Sequence, residues 1–76
     1  MHDWKYASKG WERRTESLSI RIHHHRDAES PEDWFLTVHE LGIDCMPLST
    51  AEITSAKFKA MDRVRDRITK LMREVT

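Results

Sequence analysis

The sequence is poor in the residues that mark disulfide-rich, secreted or membrane proteins. Cys45 is the only cysteine, so no intramolecular disulfide is possible and an oxidising compartment gains no support. No apolar run approaches the roughly 18 residues that span a bilayer, and residues 1–10 lack the apolar core of a secretory signal. We therefore expect a cytoplasmic protein without a membrane segment.

Motifs that carry catalysis are missing as well. There are two glycines in all, with no Gly-rich phosphate loop, metalloprotease helix motif, nucleophile elbow or redox cysteine pair. A chain of 76 residues buries only about 60% of its unfolded surface, which leaves little depth for a dry catalytic pocket. We expect a non-catalytic protein that needs no cofactor.

Net charge is also absent, but the charges are unevenly distributed. Thirteen basic and thirteen acidic residues cancel over the whole chain. The balance is +3 over residues 1–26, −7 over residues 27–52, which contain no Lys or Arg, and +4 over residues 53–76. An acidic middle between basic ends predicts neutralisation within one fold or between two copies of it, in preference to a nucleic-acid partner.

A single long helix is predicted for residues 49–75. Ser49 followed by Glu52 fits a capping box, and Pro47 prevents an earlier start. No Gly or Pro interrupts the segment, and about 26 residues give a rod of roughly 39 Å. The apolar residues recur at spacings of three and four, as expected for one helical face: Ile53, Ala56, Ala60, Val64, Ile68, Leu71 and Val75.

Residues 15–48 are predicted to form two or three antiparallel strands. Period-two alternation marks a first strand at 17–26, and aromatic and β-branched residues mark a second at 34–41. A polar loop at 26–33 joins them, and a short third strand follows Gly42. The register predicted for these two strands places their apolar residues on one face of the sheet. In this register the residue pairs are Ile22 with Leu36, Ile20 with Val38, Arg21 with Thr37 and His23 with Phe35.

The predicted fold class is α+β, a small two-layer domain covering residues 1–76. The antiparallel strands at 15–48 pack against the C-terminal helix, which covers the apolar face of the sheet. Residues 1–14 are expected to form an aromatic and basic arm, with Gly10 breaking any long regular element. Strands followed by a carboxy-terminal helix are common in small bacterial and prophage proteins, but no motif matches a named family.

The helix is longer than the strands it covers, so its end is a predicted interaction surface. Eight-residue strands span roughly 27 Å, which leaves the last turns of the helix beyond the sheet. Exposed apolar stripes mark association sites, and we expect a homodimer or another protein partner. The arm could also fold over the stripe. The candidate interaction residues are Phe58, Met61, Ile68, Leu71, Met72 and Val75. The sheet face with His23, His25, Phe35 and His39 is a second candidate surface.

Two alternatives use other residues. Nucleic acid could be bound by the basic flank of the helix together with the Trp, Lys and Arg side chains of the arm; the flank comprises Lys59, Arg63, Lys70 and Arg73. No helix-turn-helix or similar reading motif accompanies them. His23, His25 and Asp33 are weak candidates for a metal site, since imidazole is a good zinc ligand. The competing interpretation of the histidines is a solvated strand.

Overall fold

The computed structural model describes residues 4–7, 9–25, 29 and 31–75. In chain order its elements are β1 Lys5–Ala7, β2 Gly10–Arg14, β3 Ser19–His23, β4 Phe35–Val38, a 3-10 helix His39–Leu41, β5 Ile43–Pro47 and α1 Ile53–Glu74. In this part of the chain the five strands form one antiparallel sheet in sequential order. The α+β class with one long carboxy-terminal helix is confirmed, but the predicted count of two to three strands is wrong.

The additional strands come from residues 5–14, which form a β-hairpin and not a loose arm. Tyr6 pairs with Trp11 across this hairpin, and Trp11 pairs with Ile22 of β3 on its other side. Gly10 lies inside the sheet because a Cβ atom there would be 2.6 Å from the Ile22 carbonyl oxygen. It therefore marks a close approach of two strands, which a glycine permits, and not the end of a regular element.

The pairing of β3 with β4 follows the predicted register. Arg21 lies opposite Thr37, Ile22 opposite Leu36 and His23 opposite Phe35, as alternation required. The second predicted strand ends early, however. Its last three residues, His39–Leu41, form the 3-10 helix, which closes at Gly42 in the left-handed conformation (φ 70°). The predicted loop at 26–33 includes residues 26–28 and 30, which lie outside the described residues.

The third strand occurs where it was predicted and contains an irregularity. The register between β4 and β5 shifts between Leu36 and Val38, and Cys45 has a positive φ of 50°. Such a bulge re-aims the backbone at one position of a strand. Here the Cys45 N–H donates to the Thr37 hydroxyl oxygen at 3.2 Å.

α1 begins at Ile53, four residues later than predicted. Ser49 has φ 57°, which is outside the right-handed helical region, so the predicted capping box does not form. Glu52 is itself the N-cap: its carboxylate accepts the Thr54 and Ser55 N–H groups at 2.9 and 2.7 Å. The helix then continues without a break for 22 residues, about 33 Å.

The core lies between α1 and the half of the sheet made by β3, β4 and β5. Trp34 closes one end, where its indole N–H donates to the Ala51 carbonyl at 2.9 Å. At the other end the Arg67 Nε donates to the Leu41 carbonyl at 3.0 Å. The buried cluster contains Ile20, Ile22, Trp34, Leu36, Val38, Leu41, Ile43, Leu48, Ala56, Ala60 and Val64. The hairpin lies at the edge of this core, where Trp4 and Trp11 pack against the buried cluster and Lys57 of α1 lies over the Trp11 ring.

Candidate functional site

The face of the sheet that points away from α1 contains an open groove of about 790 Å³. Alternation places the polar residues of β3 on this face, because Ile20 and Ile22 face the helix. The lining includes Lys9, Glu12, Arg21, His23, His39 and Asp44. Since acidic and basic side chains share the groove, its charge does not single out an anionic or a cationic ligand.

A hydrogen-bonded group of side chains forms the floor of this groove. His23 Nδ1 lies 3.1 Å from the His24 carbonyl oxygen, which can only accept, so Nδ1 carries the proton. In the neutral ring Nε2 then accepts the Thr37 hydroxyl proton at 2.6 Å. The Thr37 oxygen in turn accepts the Cys45 N–H. His23 is thus engaged in holding β3, β4 and β5 together.

The candidate metal ligands are not brought together. His24 stacks on Trp34 with a centroid distance of 3.9 Å, and its Nδ1 contacts the Asp33 carbonyl oxygen at 3.0 Å. The ring of His25 meets the edge of Phe35 at 5.5 Å. Among the described residues no three His, Cys, Asp or Glu side chains are placed to hold a metal ion.

The sheet face that was expected to be exposed is partly covered. Phe35 is only 9% exposed and Thr37 is buried, so all four residues of β4 are buried on both faces of the sheet. His39 is exposed and belongs to the 3-10 helix. This face therefore does not offer the continuous apolar and imidazole surface that the sequence pattern indicated.

The two halves of the candidate nucleic-acid surface lie on opposite flanks of α1. The Lys57 ammonium lies 3.9 Å from the centre of the Trp11 ring, which fixes the flank that faces the hairpin. Arg67 anchors the other flank to the Leu41 carbonyl. At about 100° per residue, the candidate bases Lys59, Arg63 and Lys70 share the flank of Arg67, whereas Arg73 turns further away. Lys70 also pairs with Asp66 at 3.5 Å.

The candidate interaction residues divide between the core and the surface. Leu71 packs on the core cluster, and Phe58 is 77% exposed near the start of the helix. The remaining four have spacings of seven, four and three residues and share one side of the helix. We call them the apolar flank: Met61, Ile68, Met72 and Val75. Met61 packs partly on the core, while Ile68, Met72 and Val75 are 36%, 61% and 84% exposed.

The face of the hairpin that points toward α1 lies beside the apolar flank. On this face Tyr6 meets Trp11 edge-on at 5.3 Å, and Trp4 and Trp11 pack against the core cluster. Arg13 faces the same side, opposite Ile20, and its buried Nε has no acceptor in the described part of the chain. The sequence prediction missed this face of the hairpin. The signal was present as a weak alternation, with Trp11 and Arg13 on one face and Glu12 on the other.

Backbone hydrogen bonds lower the pKa of two carboxyl groups, neither of which lines the groove. The N–H groups of Ser55 and Thr54 lower the pKa of Glu52 to about 2. Its own backbone N–H and that of Ser19 lower the pKa of Glu40. Both groups hold local structure: Glu52 caps α1, and Glu40 ties the 3-10 helix to β3 through the Ser19 N–H at 3.3 Å.

Comparison of the chain with protein-family models, with curated proteins and with solved structures finds no match. No helix in the described part of the chain is both long enough and apolar enough to cross a membrane.

Proposed function

We propose that this chain is a small, non-catalytic protein-interaction module that associates with a second copy of itself through the apolar flank of α1. The observation that carries the proposal is the exposure of Ile68, Met72 and Val75 along one side of the helix, next to the face on which Ala56, Ala60 and Val64 are buried. Contiguous apolar surface of this kind favours association. The predicted cytoplasmic location belongs to the same proposal and rests on composition alone.

The energy available from the flank indicates how strong the association is. The exposed fractions of Ile68, Met72 and Val75 together equal nearly two complete apolar side chains in each copy. Burying them in both copies contributes on the order of 7 kcal/mol, whereas loss of translational and rotational freedom costs roughly 4–15 kcal/mol. The flank by itself therefore supports a weak dimer, and a stable one needs further contact area.

The test is the solution mass of the protein as a function of concentration. In sedimentation equilibrium the average mass of the unmodified chain is expected to rise from 9.1 kDa towards twice that value as the protein concentration is raised into the millimolar range. Met72→Glu places a charge in the flank and is expected to raise the dimer Kd at least tenfold. Because Met72 is exposed in the single chain, helix content by circular dichroism should not change.

The matched control is Thr69→Glu, which adds the same charge one turn earlier on the outward side of α1, where Thr69 is exposed. This variant is expected to dimerise as the unmodified chain does. A single-chain mass for the unmodified protein up to millimolar concentration would overturn the proposal. Equal effects of the two glutamates would show that the flank is not the contact surface.

A further inference from the structure

We infer that His23 makes the attachment of β5 to the sheet sensitive to pH, because only the neutral imidazole fits the hydrogen bonds that meet at the bulge in β5. When His23 gains a proton, its contact with the Thr37 hydroxyl is lost and β5 loosens at Cys45. These residues lie in the groove on the face of the sheet away from α1. They are separate from the apolar flank, so this property does not rest on the proposed function.

The bulge in β5 is held in part by a side chain. Two residues, Asp44 and Cys45, lie between the ladder pairs on either side, and Thr37 is the single residue opposite them on β4. The Cys45 N–H donates to the Thr37 hydroxyl oxygen at 3.2 Å. Cys45 also has φ 50°, a left-handed conformation that costs free energy in a residue other than glycine. The Thr37 hydroxyl therefore helps to hold a strained point of the backbone.

His23 fixes the direction of the Thr37 hydroxyl. Since the His24 carbonyl oxygen 3.1 Å from Nδ1 can only accept, Nδ1 carries the proton of the neutral ring. Nε2 then accepts the Thr37 hydroxyl proton at 2.6 Å, and the hydroxyl oxygen is left to accept the Cys45 N–H. Each donor in this series, which runs from β3 through β4 to β5, has its own acceptor.

A second proton on His23 breaks this order. Nε2–H can only donate, so the Thr37 oxygen would have to accept from both His23 and Cys45, and the hydroxyl proton would need a new acceptor. Thr37 is only 8% exposed, and its side chain has no other hydrogen bond in the described part of the chain. A buried donor without a partner is costly. The half-buried ring is therefore expected to leave Thr37 and turn towards solvent when it is protonated.

Charged and titratable groups of the neighbouring elements share the groove with the His23 ring. In the described part of the chain they are two cations, two carboxylates, two imidazoles and one thiol: Lys9, Arg21, Glu12, Asp44, His24, His39 and Cys45. β4 adds only uncharged side chains. Because the cations and the carboxylates are equal in number, charge alone favours neither form of His23. The direction of the hydrogen bonds decides which form fits.

His24 shows the contrast within the same segment. Its Nδ1 faces the Asp33 carbonyl oxygen at 3.0 Å, so this hydrogen bond uses a protonated nitrogen in both the neutral and the charged ring. Its ring stacks on Trp34 at 3.9 Å, and an aromatic face also accommodates a cation. Protonation of His24 therefore leaves its contacts in place, whereas protonation of His23 does not.

Urea unfolding at pH 7.5 and pH 5.5 tests the effect on stability. Histidine side chains ordinarily titrate in this interval, which lies above the range in which Glu52 loses its charge. The unfolded chain accepts a proton on His23 freely, but the folded chain must first break the Thr37 contact. The contribution of His23 to stability is therefore present at the higher pH and lost as the pH falls.

Two variants assign this pH dependence to one ring. His23→Gln cannot be protonated and is expected to lose at least half of the fall in the urea midpoint between the two pH values. His39→Gln is the matched control, because it removes an exposed imidazole of the same groove. It is expected to keep the fall of the unmodified chain.

Amide hydrogen exchange of the unmodified chain tests the location of the change. After correction for the intrinsic exchange rate, the Cys45 amide is expected to be roughly fivefold less protected at pH 5.5 than at pH 7.5. The Ile22 amide, in the centre of the sheet, is expected to change less than twofold. Thr37→Val removes the hydroxyl and is expected to leave Cys45 weakly protected at both pH values.

Equal protection of Cys45 at the two pH values, or a His23→Gln protein that keeps the whole fall in urea midpoint, would overturn this inference. If His23→Gln does not fold, the ¹⁵N chemical shifts of the His23 ring in the unmodified chain give the answer. A proton on Nδ1 at pH 7.5 supports the hydrogen-bond order, and a proton on Nε2 alone overturns it. The mass measurements that test the proposed function are independent of these results.

Discussion

At the scale of single residues, the start of α1 depends on one carboxylate. Glu52 accepts two backbone N–H groups that have no partner within the helix. Glutamate is not among the residues most favoured at this position, but its longer side chain still reaches both donors. Because the ionised form is the better acceptor, these hydrogen bonds are also the cause of its low pKa.

We predict that Glu52→Ala lowers the melting temperature at pH 7 by several degrees, since both first-turn donors lose their acceptor. Glu52→Asp is the matched control, because aspartate keeps a carboxylate at a position where it is a preferred cap. It is expected to retain most of the stability. Thermal melts followed by circular dichroism at 222 nm measure both effects, and equal loss in the two variants would contradict this assignment of the cap.

The same residue predicts a pH dependence. Its pKa is lowered from 4.5 to about 2 in the folded protein, so its contribution to stability is fully present above about pH 5. The contribution is lost progressively as the pH falls from 4.5 towards 2. The difference in melting temperature between the unmodified chain and Glu52→Ala is therefore expected to shrink over this interval. A difference that stays constant down to pH 2 would contradict the role of the charged form.

At the scale of elements, the hairpin β1–β2 is the part of the sheet that depends on a close backbone approach. We predict that Gly10→Ala destabilises the protein by about 1–3 kcal/mol, because the new Cβ meets a backbone oxygen that cannot move without disturbing the β2–β3 pairing. Urea unfolding monitored by tryptophan fluorescence gives this value.

The control for this substitution is Gly42→Asn. Gly42 has a positive φ of 70°, which asparagine tolerates, and the nearest atom to a Cβ there is 3.7 Å away on the flexible Arg67 side chain. We expect a change of less than about 1 kcal/mol. If residues 5–14 were a loose arm, Gly10→Ala would be as mild as the control.

The elements differ in how far they could be predicted from the sequence. Apolar residues recur every second position in β3 and β4 and every three to four positions in α1. The sequence pattern therefore predicted these three elements and the Ile22–Leu36 pairing directly. β2 has five residues, one of them glycine and three charged, so its alternation is too weak to separate a strand from a coil. The start of α1 was misplaced because Ser49 and Glu52 match a capping box in sequence while the backbone at Ser49 is left-handed.

The candidate surface was predictable to a similar degree. Helical spacing identifies the apolar flank, because the same pattern that places Ala60 and Val64 in the core leaves Met72 outside it. The position of the hairpin beside α1 could not be derived in the same way, because it follows from the pairing of β2 with β3. Long-range placement of that kind depends on which strand pairs with which, and local patterns do not specify it.

At the scale of the whole molecule, the uneven charge distribution is neutralised within the fold only in part. The ion pairs Arg14 with Glu12 and Lys70 with Asp66 join neighbours in sequence, whereas Arg14 of the basic first segment also helps to lower the pKa of Glu40 in the acidic middle. Other charges, such as those of Glu32 and Arg63, lie on exposed residues. They are available for contact between two copies, where exposed pairs contribute about 0.2–1 kcal/mol each.

This arrangement predicts that the dimer weakens with salt. Raising NaCl from 0.05 to 0.5 M shortens the screening length from roughly 14 to 4 Å, so the Kd is expected to rise about three- to tenfold in sedimentation equilibrium. Glu32→Gln removes a negative charge near the start of α1 and should reduce that dependence. Asp44→Asn removes the same charge from the groove on the face of the sheet away from α1 and should leave the salt dependence unchanged. A Kd that falls as salt is added would mean that apolar burial alone joins the two copies.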